Sequence, residues 1–212
     1  MGIPERKARE KEQRRRDIIQ TAERVFLAKG LKKATMDDVA EAAELSKGTL
    51  YLYFKNKEEL YAAVILQGVK VLRSMFEAAV DSAQSGIEKV RAIGRAYADF
   101  HKEHPDYFDA VLYYQTQTFD SSGRDSLVAA CNSQSDETIG VIAEALKAGI
   151  SDGTIRNDID PSKAAVVLWG QTTGIMQLAS RKGNEIRDWH HLNPEDVISG
   201  YFDLVEYGLK AE

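Results

Sequence analysis

A chain of 212 residues with 43% hydrophobic and 29% charged side chains can bury one or two packed cores, which sets it apart from disordered chains. The longest apolar run is far too short to span a bilayer and the first sixteen residues lack the apolar middle of a signal peptide, so no membrane segment is expected. The single cysteine, Cys131, excludes an internal disulfide and a cysteine-ligated metal cluster, and a reduced cytoplasmic location is expected. The formal net charge of -5 is unevenly spread: residues 1–60 hold 14 Lys and Arg against 11 Asp and Glu, while 61–212 hold 14 against 22.

The positive excess concentrates at the start, where Arg6, Lys7, Arg9, Lys11, Arg14, Arg15 and Arg16 face only Glu5, Glu10 and Glu12. Such a run is either a solvated helix start or a basic arm for a polyanion. Ile18, Ala22 and Val25, flanked by Ile19 and Phe26, give the helical spacing of a first helix that stops at Gly30. Thr35 stands where it can cap a second helix, with Asp37 and Asp38 in the positive first turn and Met36, Val39, Ala40 and Ala43 inward. Ser46 can cap a third helix of barely two turns, which turns Leu50 and Phe54 inward.

Three helices in some forty residues, the last two joined by a tight turn, form a helix-turn-helix. In that arrangement the N-terminal end of the second helix of the pair enters the major groove of DNA. Lys47, Gly48 and Thr49 fall where base edges would lie: a cation for guanine O6 and N7, a residue without a side chain for close approach, and a hydroxyl with a methyl. Tyr51 and Tyr53 carry phenols suited to phosphate oxygens, although both rings could be core and Tyr53 fits that reading equally well, and Lys57 adds charge at the next helix start.

A fourth helix runs out of Lys57 through Ile65, Val69, Leu72 and Phe76. A fifth begins at Gly86 and passes Val90, Ile93, Tyr97 and Phe100 to His104, and Pro105 opens a sixth through Phe108, Val111, Leu112 and Tyr114. Residues 120–123 read as a loop, and a seventh helix from Leu127 to near Gly149 has a polar middle at 132–137 that could break it. The eighth and ninth helices, opened by Pro161 and Pro194, each have two apolar faces. Ala165, Trp169, Thr172 and Met176 make one face of the eighth and Val167, Gly170, Gly174 and Leu178 the other. On the ninth, Val197, Tyr201, Leu204 and Gly208 oppose Ile198, Phe202, Val205 and Leu209. Two apolar faces call for two neighbours, one of which is a second subunit or further intrachain core.

Tyr97, His101, His104, Phe108, Tyr113, Tyr114, Gln117, Trp169, Thr172 and Met176 supply rings and scattered hydrogen-bonding groups of the kind that line a ligand cavity, as well as any aromatic core. The acidic balance of this half favours a neutral or cationic ligand over a multiply charged anion. An enzymatic reading rests on His101 and His104, three residues apart, but no third metal ligand stands at a helix-compatible spacing, and His190 and His191 fall in a polar connector. Phosphate loops and nucleophile elbows are absent from the sequence. A protein-binding adaptor would leave the cap, lysine, glycine and tyrosine arrangement without a reason.

The run TMDDVAEAAELSKGTLYLYFKNKEEL resembles the DNA-binding signature of the TetR/AcrR transcriptional regulators, in which a threonine opens helix two and Tyr-x-Tyr-Phe ends helix three. The strong match covers 17 to about 66; beyond it the resemblance rests on length, helical pattern and the stretch DGTIRNDIDPSKAAVVLWGQTTG. Two positions depart from the pattern: Glu44 replaces the usual turn glycine, so it must take positive φ at some cost or reshape the turn, and Leu52 replaces a frequent polar or aromatic contact.

The resemblance implies an all-α protein of about nine helices, with a basic arm and helix-turn-helix DNA-binding domain at 1–60 and an effector-binding and dimerisation domain at 61–212. Thr35, Ser46, Tyr51, Tyr53 and Lys57 would position it on phosphates, and Lys47, Gly48 and Thr49 would read bases. The partners implied are a roughly palindromic double-stranded operator, a small-molecule effector and a second copy joined through the eighth and ninth helices. No cofactor, metal or catalytic residue is implied, and repression is the default.

Overall fold

The computed structural model describes residues 2–119 and 126–211, and the expected loop at 120–123 lies outside them. Among the described residues there are nine helices and no sheet: α1 (Ile3–Lys29), α2 (Met36–Ala42), α3 (Lys47–Tyr51), α4 (Lys57–Asp81), α5 (Gly86–Glu103), α6 (Pro105–Gln115), α7 (Leu127–Ser151), α8 (Pro161–His190) and α9 (Pro194–Leu209). The all-α expectation holds. Pro161 and Pro194 sit in the first turns of α8 and α9, where a missing N–H costs nothing, and Asp160 and Asn193 cap them by accepting from Lys163 and Glu195.

Two points that the sequence left open are decided by the structure. The first helix, whose apolar spacing runs from Ile18, extends back through the basic arm to Ile3, so the charged run is a helix start. Residues 5–16 are nearly all strong helix formers, and pairs one turn apart tie them together: Arg6 with Glu10, Glu12 with Arg16, and Gln13 donating to Asp17 at 2.8 Å. The polar middle of α7 does not break it, since the helix is continuous over its 25 residues.

The elements pack into two compact units, Met1–Lys70 with Pro105–Gln134 and Val71–His104 with Ser135–Glu212. In the first, Ile18, Ala22 and Phe26 of α1 meet Met36, Val39 and Ala40 of α2, Leu50 of α3, Phe54, and Leu60 to Ile65 of α4. α6 belongs to this core because Tyr61 packs edge-on against Phe26, 5.5 Å between ring centres, and its buried hydroxyl donates to the Ala110 carbonyl at 3.0 Å. Cys131 is buried here and burial pushes its thiol up to about 11, so it stays protonated and acts as a small apolar residue.

The second unit is organised by α5, α8 and α9. The turn after α7 caps α5: the Asp152 carboxylate accepts from Gly86 N–H at 2.7 Å and the Thr154 hydroxyl from Ile87 N–H at 3.1 Å. Here the glycine at 86 is required by close approach, because a Cβ would meet the Gly149 backbone of α7. Ile155 is buried and forms an isolated antiparallel bridge with Lys210, which ties the end of α9 to the same turn.

Candidate nucleic-acid interface and effector cavity

The turn between α2 and α3 fixes the presentation of α3. Ala43 is the C-cap of α2; the Leu45 N–H reaches the Ala40 carbonyl at 2.9 Å and the Glu44 N–H the Glu41 carbonyl at 3.1 Å, a Schellman closure. That closure needs a left-handed residue, and Glu44 supplies it at φ 55° despite its Cβ. Of the two routes open to Glu44, the chain takes the strained one and keeps the turn. The caps are formed as expected: Thr35 Oγ1 accepts from Asp38 N–H at 3.1 Å, and Ser46 Oγ from Thr49 N–H at 3.1 Å. Lys29 donates to Asp38 at 2.8 Å, and this bond, with those from Thr35, holds the Asp38 carboxyl down at about 2.

The structure gives α3 an outward row of Lys47, Gly48, Tyr51 and Leu52, with Thr49 half-buried beside them. Leu52 is 79% exposed. A Cβ added at Gly48 would meet only Ser46 Oγ at 3.9 Å, so nothing inside the chain requires glycine there. Tyr53 is half-buried against the core cluster, the ordinary packing role open to it. Lys57 donates to the Leu31 and Ala34 carbonyls at 2.9 and 3.1 Å, so its ammonium ties the loop before α2 to the start of α4.

Two contacts escaped the sequence reading. Lys47 Nζ donates to Asp37 at 2.9 Å, and that carboxylate raises the Lys47 pKa. Ten residues and a turn separate the two, beyond the reach of a same-helix spacing rule. The Arg15 guanidinium lies over the Phe54 ring, 5.3 Å from its centre, and so ties the basic part of α1 to the chain just after α3.

The second unit holds an apolar cavity of about 40 Å³ lined from α4, α5, α7, α8 and α9. Tyr97 stacks on Trp169 at 5.0 Å between ring centres and meets Phe76 edge-on at 6.0 Å. The Tyr97 hydroxyl shares a hydrogen bond with Thr173 at 3.0 Å, and burial pushes it up to about 12. Thr172 donates to the Leu168 carbonyl at 2.7 Å and lies 2.9 Å from the Tyr201 hydroxyl. A Cβ on Gly94 would come within 2.6 Å of the Phe202 ring, so that ring fits only because position 94 has no side chain. Arg91 and Glu206 pair across α5 and α9 beside the cavity.

Of the ten residues proposed from sequence as ligand contacts, Tyr97, Trp169 and Thr172 line this cavity. Met176 is fully buried, while His101 and His104 are half-buried on α5. Phe108, Tyr113, Tyr114 and Gln117 belong to the first unit. There Tyr114 stacks on Phe119, Gln117 is exposed, and Tyr113 edges a separate open groove of about 330 Å³ beside Lys29 and Asp106. Tyr201, Phe202 and Val205 were missed as lining because their apolar pattern reads only as packing. Among the described residues no group of His, Cys, Asp and Glu could hold a metal, and no helix is long and apolar enough to cross a membrane.

A family model described as bacterial regulatory proteins, tetR family, matches residues 18–64, and one described as tetracyclin repressor-like, C-terminal domain, matches 90–196. The chain belongs to the TetR family. It is therefore a ligand-responsive DNA-binding regulator and not an enzyme. Among TetR-family relatives, the HTH-type transcriptional regulator SrpR of Pseudomonas putida is 30% identical over 173 residues, 80% of this chain and 76% of that protein. The structure of the ketosteroid transcriptional regulator KstR2 of Mycobacterium tuberculosis aligns with a TM-score of 0.67 at 21% identity, covering 94% of this chain and 96% of that one. AibR, solved with isovaleryl coenzyme A and operator DNA, aligns with the same TM-score and identity over 90% of this chain and 97% of its own.

Proposed function

We propose that the protein is a repressor that binds a roughly palindromic operator as a homodimer and leaves it when a small, mostly apolar effector binds the second unit. The observation that carries the DNA half is Gly48. In a five-residue helix a glycine costs about 1 kcal/mol against alanine, and a Cβ there would make only an ordinary contact with Ser46 Oγ at 3.9 Å. The requirement lies outside the molecule, in a surface that must come close to the α3 backbone. DNA bases in the major groove are such a surface. On this reading Lys47, Gly48 and Thr49 meet base edges, and Leu52 meets a thymine methyl or sugar. Tyr51 bonds phosphate, and Thr35, Ser46, Tyr53 and Lys57 hold the geometry and flank it. Asp37 orients the Lys47 ammonium until a guanine displaces it.

The dimer half rests on α8 and α9. Val166, Val167 and Leu178 of α8 and Leu204 and Tyr207 of α9 are exposed in the single chain. Gly170, Gly174, Gly200 and Gly208 leave open space where a Cβ would be, which lets helices of a second copy approach closely. Two-fold pairing of this face places two copies of α3 for two half-sites about one DNA turn or slightly more apart. Residues 1–60 then act as the reader and 61–212 as the effector-binding and dimerisation part.

The effector reading rests on the cavity, whose lining is mostly apolar, with polar groups from Tyr97, Trp169, Thr172, Tyr201 and the Arg91–Glu206 pair. At about 40 Å³ it holds little more than water, against the 300 Å³ or more of a typical ligand pocket. The effector therefore selects an opened form, with Phe202 displaced, and α4 is the element through which that form bears on the reader. Coupling of about 1–3 kcal/mol suffices for release. The test is a fluorescence anisotropy titration against an operator duplex selected from random DNA and a scrambled duplex. Lys47→Ala should mainly erase the preference for the selected duplex, whereas Tyr51→Phe should weaken both alike. The reverse pattern would overturn this division of labour.

A further inference from the structure

The two helices of the helix-turn-helix open on an acidic and a basic side chain that meet. Asp37 is the second residue of α2 and Lys47 the first of α3, and the Lys47 ammonium lies 2.9 Å from both carboxylate oxygens of Asp37. Asp38, next in the chain, is committed to the fold, since it accepts from the Thr35 N–H and from Lys29, each at 2.8 Å. Asp37 has no such task. Its bond with Lys47 lies in water, with side chains 65% and 55% exposed, and an ion pair of that kind contributes little to stability.

A carboxylate in this place is a liability for DNA binding. Phosphate oxygens are acceptors only, so along the backbone Asp37 meets repulsion and offsets the charge of Lys47. Donors in the major groove are confined to base edges, the N4 amine of cytosine and the N6 amine of adenine. A guanine that draws the ammonium away leaves the carboxylate partly dehydrated, at a cost unless a donor lies within reach. In a G·C pair that donor is adjacent: guanine O6 and cytosine N4 are hydrogen-bonded to each other, about 2.9 Å apart. Lys47 and Asp37 present a donor and an acceptor at the same 2.9 Å spacing. A C·G pair in that place sets amine against ammonium and carbonyl against carboxylate, and A·T does the same. T·A keeps the favourable order but offers a methyl group instead of N7.

We infer that Asp37 is a specificity-determining residue that, with Lys47, reads one G·C pair in each half-site: Lys47 donates to guanine O6 and N7, and Asp37 accepts from the N4 amine of the paired cytosine. This rests on the proposed reading of bases by α3 and adds to it a residue of α2 and the identity of one base pair. Asp37 acts in two directions. It gains a contact on the correct pair, and it penalises every duplex that offers no amine there.

The test uses the full-length protein and chemically altered bases. Duplexes are selected from random DNA with the wild type, and the position is located as the one whose preference Lys47→Ala removes. There, in both half-sites, cytosine is replaced by 2-pyrimidinone, which lacks the N4 amine, or guanine by 7-deazaguanine, which lacks N7. In anisotropy titrations at about 150 mM salt, each replacement should weaken the wild type by about 10- to 100-fold. Asp37→Ala should lose affinity on 7-deazaguanine but not on 2-pyrimidinone, and should bind a scrambled duplex more tightly than the wild type does. Because the lost bond is exposed, this variant should melt within a few degrees of the wild type, and the wild-type titrations stand whatever the variant does.

A wild type indifferent to either altered base would overturn the paired reading while leaving operator binding intact. A loss on 2-pyrimidinone that is equal in the wild type and Asp37→Ala would trace to the weakened base pair and overturn it as well. So would a located position that is not G·C, or selected sequences in which no position answers to Lys47→Ala. Failure of the wild type to select any sequence would overturn the operator reading together with this one.

Discussion

Replacing Leu204 by alanine tests the assignment of the α8 and α9 face to a second copy. Leu204 is 73% exposed in the single chain, so most of the stabilisation available from burying it is still unclaimed. Full burial of a leucine side chain contributes about 1.5–3 kcal/mol, and roughly three quarters of that leaves about 1–2 kcal/mol for each copy. A two-fold interface uses the residue twice, so Leu204→Ala should weaken association by about 2–4 kcal/mol, a rise of roughly 30- to 1000-fold in the dimer dissociation constant. Sedimentation equilibrium across nanomolar to micromolar protein reads this directly, and circular dichroism should show unchanged helix content. Leu52→Ala is the matched control: that leucine is comparably exposed at 79%, but it lies at the end of α3, away from the face proposed for the second copy, and should leave association unchanged. A Leu204→Ala protein that associates as tightly as the wild type, or a wild type that is monomeric at micromolar concentration, would refute the reasoning.

Glu44→Gly relieves a side chain from the left-handed region and should stabilise the protein by about 0.5–1 kcal/mol, a rise of roughly 1–3 °C in Tm; a fall would mean that the Glu44 side chain has a role its geometry does not reveal. The Asp38 carboxyl, held at about 2 by Lys29 and Thr35, lies below its ordinary value of 3.8. The stability it contributes is therefore present above about pH 4 and lost as pH falls toward 2, and Asp38→Asn should flatten that part of the acid-unfolding curve. An unchanged acid limb would contradict it. Gly94→Ala pushes a Cβ into the Phe202 ring and should destabilise by about 1–3 kcal/mol in chemical denaturation, an effect that unchanged stability would rule out.

The reader was legible in the sequence because its geometry is local. Caps at Thr35 and Ser46, the inward Leu50 and Phe54, and the exposed Leu52 each follow from neighbours a turn away. Non-local partners were not legible. Lys57 bonds carbonyls 23 and 26 residues back, and Lys47 meets Asp37 across a turn, so charge type alone could not assign either ammonium. The helicity of the arm was less legible because its charge was counted in total, whereas Arg6 with Glu10 and Glu12 with Arg16 pair one turn apart along it.

The cavity was partly legible. Periodicity placed Trp169 and Thr172 on an inward face of α8, which the structure bears out. It could not show that Tyr113, Tyr114 and Gln117 pack in a different unit from Tyr97, since rings carry no address in one dimension. Nor could it show that Phe202 lines the cavity, a placement that depends on an α5 glycine more than a hundred residues earlier in the chain. On α8 the two faces separate as read, Ala165, Thr172 and Met176 buried and Val167 and Leu178 exposed, but on α9 Tyr201, grouped with Leu204, lines the cavity with Phe202 and Val205 instead. Val166, Val167, Leu204 and Tyr207 are the exposed part that an inward-only count would have placed in the core.

The central claim is that the first residues of α3 read DNA bases, twice, in a symmetric complex. Incubating the purified chain with a pool of randomised duplexes at low salt, recovering the bound fraction and sequencing it tests this most directly. The account predicts enrichment of inverted half-sites with centres about one helical turn or slightly more apart, an enrichment that Lys47→Ala abolishes. Recovery of no sequence above background, at any salt concentration, would contradict it.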